Sequence, residues 1–264
     1  MTTSPSMSNP SWMLVAAAAT DVGRRRAVNE DGVCNRPDLG LFIVTDGMGG
    51  EAAGDVASRL AIQSMTTFVV HTHDPDIQRA WPVPYDDALG RSGNRLNAAF
   101  VVANRRIAAA TAVDPTLEGM ATTAVAVLLA DGDAAVAHVG DSRLYVWRGD
   151  RLSLATADHS LVGEQLRAGM IDEAQARRHP WRHVVTRALS GQSELQVDVA
   201  SYRVESGDRL LLCSDGLSGV VDDETMAAIL ARDETTSARC HALVDAANAA
   251  GGPDNITAIV VDVE

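Results

Sequence analysis

The sequence predicts an α+β fold, and three observations carry that expectation. Between Thr122 and Leu154, short apolar runs follow one another through turns rich in Gly and Asp, as in a meander of antiparallel hairpins. Two segments with helical spacing precede this meander, and two follow it. The chain then ends on Ile256 to Val263, an apolar run of strand length.

Composition limits what such a fold can do. A chain of 264 residues with 46% hydrophobic content can bury a substantial core. Its formal charge of -13 disfavours nucleic acid and anionic membrane surfaces, so a phosphate-bearing partner needs a local positive site, from protein or metal. All 22 cationic residues are arginine, which excludes a phosphate-loop lysine, a kinase lysine and Schiff-base chemistry. Cys34, Cys213 and Cys240 lack zinc-site spacing and suit a reduced, cytoplasmic compartment. None has an arginine six residues later, so a cysteine-dependent phosphatase loop is absent. No segment reaches membrane-spanning length.

Residues 1–11, rich in Ser, Thr and Pro, are expected to form a disordered lead. Trp12 to Ala19 follows a start without basic residues and reads as a first strand, not a signal peptide. A polar stretch from Thr20 to Asp31 contains three consecutive arginines, which by themselves suggest a solvated loop. Leu41 to Val44 is the next expected strand, leading into Asp46 and a glycine-rich turn. A helix is expected over 52–70, with Val56, Leu60, Met65 and Phe68 on or near one face.

His71 to Gly93 breaks regular patterning, and its His71-x-His73 pair lacks further ligands. Leu96, Phe100, Ala103 and Ile107 mark a second helix. The meander then runs through Ala124 to Ala130, Ala134 to Val139, Arg143 to Trp147 and Arg151 to Leu154, with Asp131-Gly132 as a plain turn. Residues 158–190 form a polar surface excursion with one short helix near 164–168. Strands are expected at Gln196 to Val204 and Asp208 to Cys213. Helices are expected near 223–231 and 235–250, the second closed by Gly251-Gly252.

Four aspartates share one placement. Asp46 follows Phe42-Ile43-Val44, Asp141 follows Val136 to Gly140, Asp215 follows Leu210-Leu211-Leu212, and Asp254 precedes Ile256 to Val261. If those strand ends converge, the carboxylates cannot all stay ionised without raised pKa values or bound cations. Oxygen ligands without a Cys or His cluster select Mg2+ or Mn2+ over Zn2+. Two such ions would lower the pKa of a shared water and clamp both oxygens of an in-line displacement at phosphorus. Arg26 offers a bidentate donor for the other phosphate oxygens, provided that it lies near the aspartates; otherwise it is a surface arginine.

These residues fall in an ordered motif set: Arg26-x-x-Asn29-Glu30-Asp31, Asp46-Gly47-Met48-Gly49-Gly50, Gly119-Met120-x-Thr122-Thr123, Val139-Gly140-Asp141-Ser142-Arg143, Asp158-His159-Ser160, Ser214-Asp215-Gly216-Leu217 and Asp254-Asn255-x-Thr257. Each is weak alone, but the ordered set resembles the metal-dependent serine/threonine protein phosphatases of the 2C type in their bacterial form, over roughly residues 12 to 264. The resemblance implies a four-layer α-β-β-α sandwich: two antiparallel-rich sheets flanked by helices, in one catalytic domain over 12–264 with a flap at about 158–190. It further implies hydrolysis of phosphoserine and phosphothreonine in proteins, opposing bacterial kinases, with Mn2+ or Mg2+ at two core positions and a third, weaker one. The expected partners are phosphorylated proteins, without nucleic acid or membrane, and the expected state is a cytoplasmic monomer.

By the same resemblance, Asp46 bridges both ions, the Gly47 carbonyl binds the second, and Asp215 and Asp254 complete the first. Asp31 acts through metal-bound water with Glu30 in support, Asp141 holds the third ion with Asp215, and Arg26 binds phosphate. Three positions depart from the family. Met48 stands where animal members have a histidine proposed as general acid, Glu51 where many bacterial members have histidine, and Ala121 where many have glycine. Altered packing or substrate access is expected from the last two. Two readings of other classes remain at this point. A catalytically silent phosphoprotein-binding module would be marked by a lost metal aspartate, and none is lost; a two-metal nuclease would need a cationic track that the acidic balance does not provide.

Overall fold

A computed structural model of the chain describes residues 13–50, 53–73, 81–130 and 133–264. The expected lead, Trp12, Glu51 and the Asp131-Gly132 turn lie outside the described residues. Two sheets organise the rest. One has the order β1 (Leu14–Asp21), β11 (Ile256–Val263), β10 (Arg209–Cys213), β7 (Arg143–Arg148), β8 (Arg151–Leu154). The other has β2 (Asp31–Arg36), β3 (Leu41–Met48), β5 (Ala124–Ala130), β6 (Asp133–Val139), β9 (Asp198–Arg203), with the short β4 (Ala121–Thr122) pairing β3. All pairings are antiparallel.

The core strands are apolar without interruption because both of their faces are buried. Along β3, Leu41 and Ile43 face a cluster shared with α1 (Ala53–His71) and α2 (Gly90–Val113), while Phe42 and Val44 enter the core between the sheets. Along β11, Ile256, Ala258 and Val260 face α6 (Asp223–Leu230) and α7 (Thr236–Ala249), while Ile259, Val261 and Val263 turn inward. The period of two thus feeds three apolar clusters, giving helices, sheet, sheet and helices in four layers.

Several expectations need correction. β2 was not expected as a strand, because Asp-Gly-Val-Cys-Asn-Arg has no apolar run; it is an edge strand held by pairing to β3. The β3 strand runs past Val44 to Met48, so Asp46 sits within it, not beyond its end. The buried stripe of α1 is Ala53, Ala57, Ala61, Met65 and Val69; Val56, Leu60 and Phe68 only flank it. Small residues let this helix sit close on the sheet. The excursion at 158–190 holds two helices, α3 (Leu161–Arg167) and α4 (Glu173–Arg178), the second started by an Asp172/Gln175 capping box. A further short helix, α5 (Asp215–Ser218), follows β10 directly.

Candidate metal centre

The two sheets deliver aspartates to one rim of the sandwich. Asp31 and Asp46 stand opposite each other across the β2/β3 pair. The Asp46 backbone is pinned on both sides: its N–H donates to Thr123 Oγ1 (3.2 Å), and its carbonyl accepts from Thr122 Oγ1 and the Thr123 N–H (both 2.9 Å). Asp141 occupies the turn between β6 and β7, Asp215 begins α5, and Asp254 precedes β11. Their mutual fields link all five, as Asp31, Asp141, Asp215 and Asp254 each act on Asp46.

Close backbone approaches assemble this rim. A Cβ on Gly216 would stand 1.8 Å from the Asn255 carbonyl oxygen, so only glycine lets the Asp215 and Asp254 segments meet. A Cβ on Gly47 would stand 2.2 Å from the Gly54 oxygen and 2.6 Å from the Glu30 oxygen. Asn255 then ties in the arginine-rich loop: its Oδ1 accepts from the Glu30 N–H (2.9 Å), and its Nδ2 donates to the carbonyls of Val22 (3.0 Å) and Val28 (2.9 Å). Ser214 donates to Asp31 Oδ2 (2.8 Å) and accepts from the Thr257 N–H (3.0 Å).

Electrostatically, the rim holds more negative charge than it can keep. Removal from water pushes the Asp46 carboxyl well above the usual carboxylate range, and the neighbouring aspartates push it further. Burial likewise pushes Asp31 up to about 7 against the hydrogen bonds from Ser214 and Thr257, and Asp141 up to about 7 with help from the Asp215 charge. The nearest cation is Arg26, whose Nη2 lies 2.8 Å from Asp254 Oδ2 while half of its side chain stays exposed. Two buried carboxylate oxygens, Asp31 Oδ1 and Asp215 Oδ1, have no hydrogen-bond partner. Orphaned carboxylate oxygens in an all-oxygen cluster are what a hard divalent cation satisfies, so the residues present fit Mg2+ or Mn2+.

The expected metal and phosphate residues Arg26, Glu30, Asp31, Asp46, Gly47, Asp141, Asp215 and Asp254 lie together at this rim. Two of the departures meet there as well, since Met48 and Ala121 are partners across β3 and β4. Sequence reasoning gave no role to Thr122, Thr123, Ser214 or Asn255. Their adjacency to aspartates within the motifs was the available signal. It also passed over His183 in the excursion, whose Nδ1 lies 3.7 Å from Asp215 Oδ2, a contact that raises the imidazole pKa.

A second group of potential ligands has a different organisation. His138, His159 and Asp198 offer atoms within 4.8 Å of one another, and the two rings stack 4.7 Å apart. The Gly140 N–H donates to His159 Nδ1 (3.1 Å), which places the ring proton on Nε2, 3.2 Å from Asp198 Oδ2. That nitrogen has no lone pair for an ion. The group is a hydrogen-bonded brace between the Asp141 turn and the base of the excursion, where the His159 carbonyl also accepts from the Thr186 N–H (2.8 Å).

Comparison with known proteins agrees with this geometry. A serine/threonine protein phosphatase PstP of Mycobacterium tuberculosis is 38% identical over 257 residues, 97% of this chain and 46% of that protein, so the chain spans about half of its relative's length. A protein phosphatase PhpP of Streptococcus pneumoniae is 34% identical over 92% of this chain and 95% of its own. Among solved structures, the catalytic domain of PstP in complex with two manganese ions superposes with a TM-score of 0.81 at 36% identity, covering 96% of this chain and 99% of that one. The family profile described as protein phosphatase 2C matches residues 24–246. With the ordered motifs, the two-sheet fold and this match over most of its length, the chain belongs to the protein phosphatase 2C family.

Proposed function

We propose that the chain hydrolyses phosphoserine and phosphothreonine in proteins, using Mn2+ or Mg2+, and so reverses bacterial serine/threonine kinase signalling. The observation that carries this reading is the rim itself: five aspartates with two orphaned oxygens, faced by the half-exposed guanidinium of Arg26. Bound divalent ions would neutralise the centre and lower the pKa of the water that attacks phosphorus. Asp46, the Gly47 carbonyl, Asp215 and Asp254 would hold the two core ions, Asp31 would act through water with Glu30 behind it, and Asp141 would hold a third ion.

Arg26 would bind the non-reacting phosphate oxygens by exchanging its bond to Asp254 for a bidentate one to substrate. Ser214, Thr122 and Thr123 would keep Asp31 and Asp46 aimed while the substrate comes and goes. Residue 48 cannot protonate the leaving alcohol, as methionine carries no transferable proton. The excursion at 158–190 would be the flap that meets the phosphoprotein, and its exposed Met170, Trp181 and Val184 provide apolar contacts for a polypeptide.

Residues 12–264 would work as one catalytic domain, as a monomer in the cytoplasm, without nucleic acid or membrane. The net charge of -13 supports the last point, and no helix among the described residues is long and apolar enough to cross a membrane. The test is phosphate release from a phosphothreonine peptide with Mn2+, with and without a chelator. Release that stops on chelation is expected. Release that survives chelation would remove the metal from the reaction, binding without turnover would mark a silent phosphoprotein-binding module, and cleavage of DNA or RNA in place of peptide would mark a nuclease.

A further inference from the structure

A cavity of about 300 Å³ opens between the two sheets at their β8 and β9 edges, away from the acidic rim. Ala134 lies near the start of β6 and Arg148 ends β7, whereas Asp141 lies in the turn between those strands. The walls are Ala134, Val136, Leu144, Val146 and Leu210, inward-facing residues of the core between the sheets. This is the small end of the range for ligand pockets, about 300 to 1,000 Å³. One side of the mouth is framed by the Tyr202 hydroxyl, which donates to the Ala155 carbonyl (2.5 Å) and so spans from β9 to the end of β8.

The polar groups at the mouth are unequally satisfied. Arg148 is fully engaged: Nε and Nη2 reach the two Asp208 oxygens (2.7 and 2.5 Å), Nη1 reaches Glu205 (3.0 Å), and Nη2 also donates to the Arg203 carbonyl (2.9 Å). One guanidinium balances only one of those two acids, and the charge left over belongs with Glu205, which is exposed and outside the cavity lining. Directly opposite Arg148 in the β7/β8 register stands Arg151, which also lines the cavity and makes no ion pair among the described residues. Like charges directly opposite across a strand pair are destabilising, and the acids beside this pair engage Arg148 alone, which leaves Arg151 without a counter-charge. Ser153, opposite Val146, adds a hydroxyl to the same lining.

We infer that this cavity binds a small amphipathic carboxylate, a fatty acid of medium chain length. Its tail lies among Val136, Leu144, Val146 and Leu210, and its carboxylate meets Arg151 with Ser153 beside it. The apolar walls supply the affinity for a hydrocarbon chain, and Arg151, joined in the lining by Arg203, selects an anionic head over a neutral one.

The experiment is titration of the full chain with octanoate, followed by calorimetry and by methyl NMR. Saturable one-site binding is expected, with the largest shifts at Val136, Leu144, Val146 and Leu210. Arg151→Ala, at an exposed position, should keep the fold and weaken binding by about tenfold or more, the effect of losing a charged hydrogen bond. Ala134→Phe should fill the cavity and abolish binding; if it does not fold, Arg151→Ala still decides. Equal binding of octan-1-ol and octanoate, unchanged affinity of Arg151→Ala, or shifts centred on Ile229 between α6 and α7 would each overturn the inference. So would binding that appears only after deletion of residues 2–11, because the chain's own lead would then be the occupant.

Discussion

At the residue scale, the metal centre depends on atoms that are not ligands. Gly216 carries no side chain, yet it sets how closely Asp215 and Asp254 approach, because its Cα faces the Asn255 carbonyl. Gly216→Ala should therefore separate the two aspartates while leaving both in place. The expected outcome is a fall in Mn2+ affinity of about 10–100-fold, the range for disturbed supporting positions, with a loss of stability of about 1–3 kcal/mol from the forced overlap. Manganese titration of the activity and a thermal melt measure the two effects. A variant with unchanged manganese dependence would show that the two segments can separate without consequence for the centre.

The element scale separates what the sequence made legible from what it hid. Leu41–Phe42–Ile43–Val44 and Ile256 to Val263 were readable as buried strands because both of their faces enter apolar clusters. Asp31–Arg36 was not readable, since an edge strand can take its stability from pairing and needs no apolar run of its own. α4 was missed for a related reason: it has no buried residue and rests on its capping box. Asp46, Asp141, Asp215 and Asp254 were legible because each stands beside a strong strand, whereas Asp31, at the start of the edge strand β2, was reached only through the family resemblance. Ser214, Asn255 and Thr123 were not, as a hydroxyl or amide reveals its partner only when distant segments meet.

The flap carries its own prediction at this scale. Trp181 is 60% exposed and lies two residues from His183, so it can touch a polypeptide without supporting the core. Trp181→Ala should raise KM for a phosphopeptide severalfold, in line with the about 1–2 kcal/mol carried by an exposed aromatic contact. Its turnover of p-nitrophenyl phosphate should stay at the parent value. Equal losses on both substrates would place Trp181 in the support of the centre and not in peptide contact.

At the scale of the whole molecule, the acidic rim couples stability to pH and metal. Burial raises Asp31 and Asp141 from 3.8 to about 7 in the folded chain, so without metal the folded state holds more protons than the unfolded state between those values. Their contribution to stability is fully present below 3.8 and is lost as pH rises through about 7. The chelated chain should accordingly melt at a lower temperature as pH rises from about 5 to about 8, and Asp141→Asn should flatten that slope. Saturating Mn2+ should reverse the trend, because metal binding favours the ionised carboxylates. A chelated chain that gained stability over this range would contradict the charge crowding on which the metal reading rests.

The most direct measurement compares Asp46→Asn with the parent chain for both manganese binding and hydrolysis of a phosphothreonine peptide. The substitution preserves shape and removes one buried charge, so the fold should persist in a thermal melt of the chelated protein. Manganese binding should weaken and turnover should fall beyond the about 10–100-fold typical of supporting residues, with no recovery at neutral pH. A folded Asp46→Asn variant that binds manganese and hydrolyses the peptide at the parent rate would contradict the assignment of the acidic rim as the metal centre.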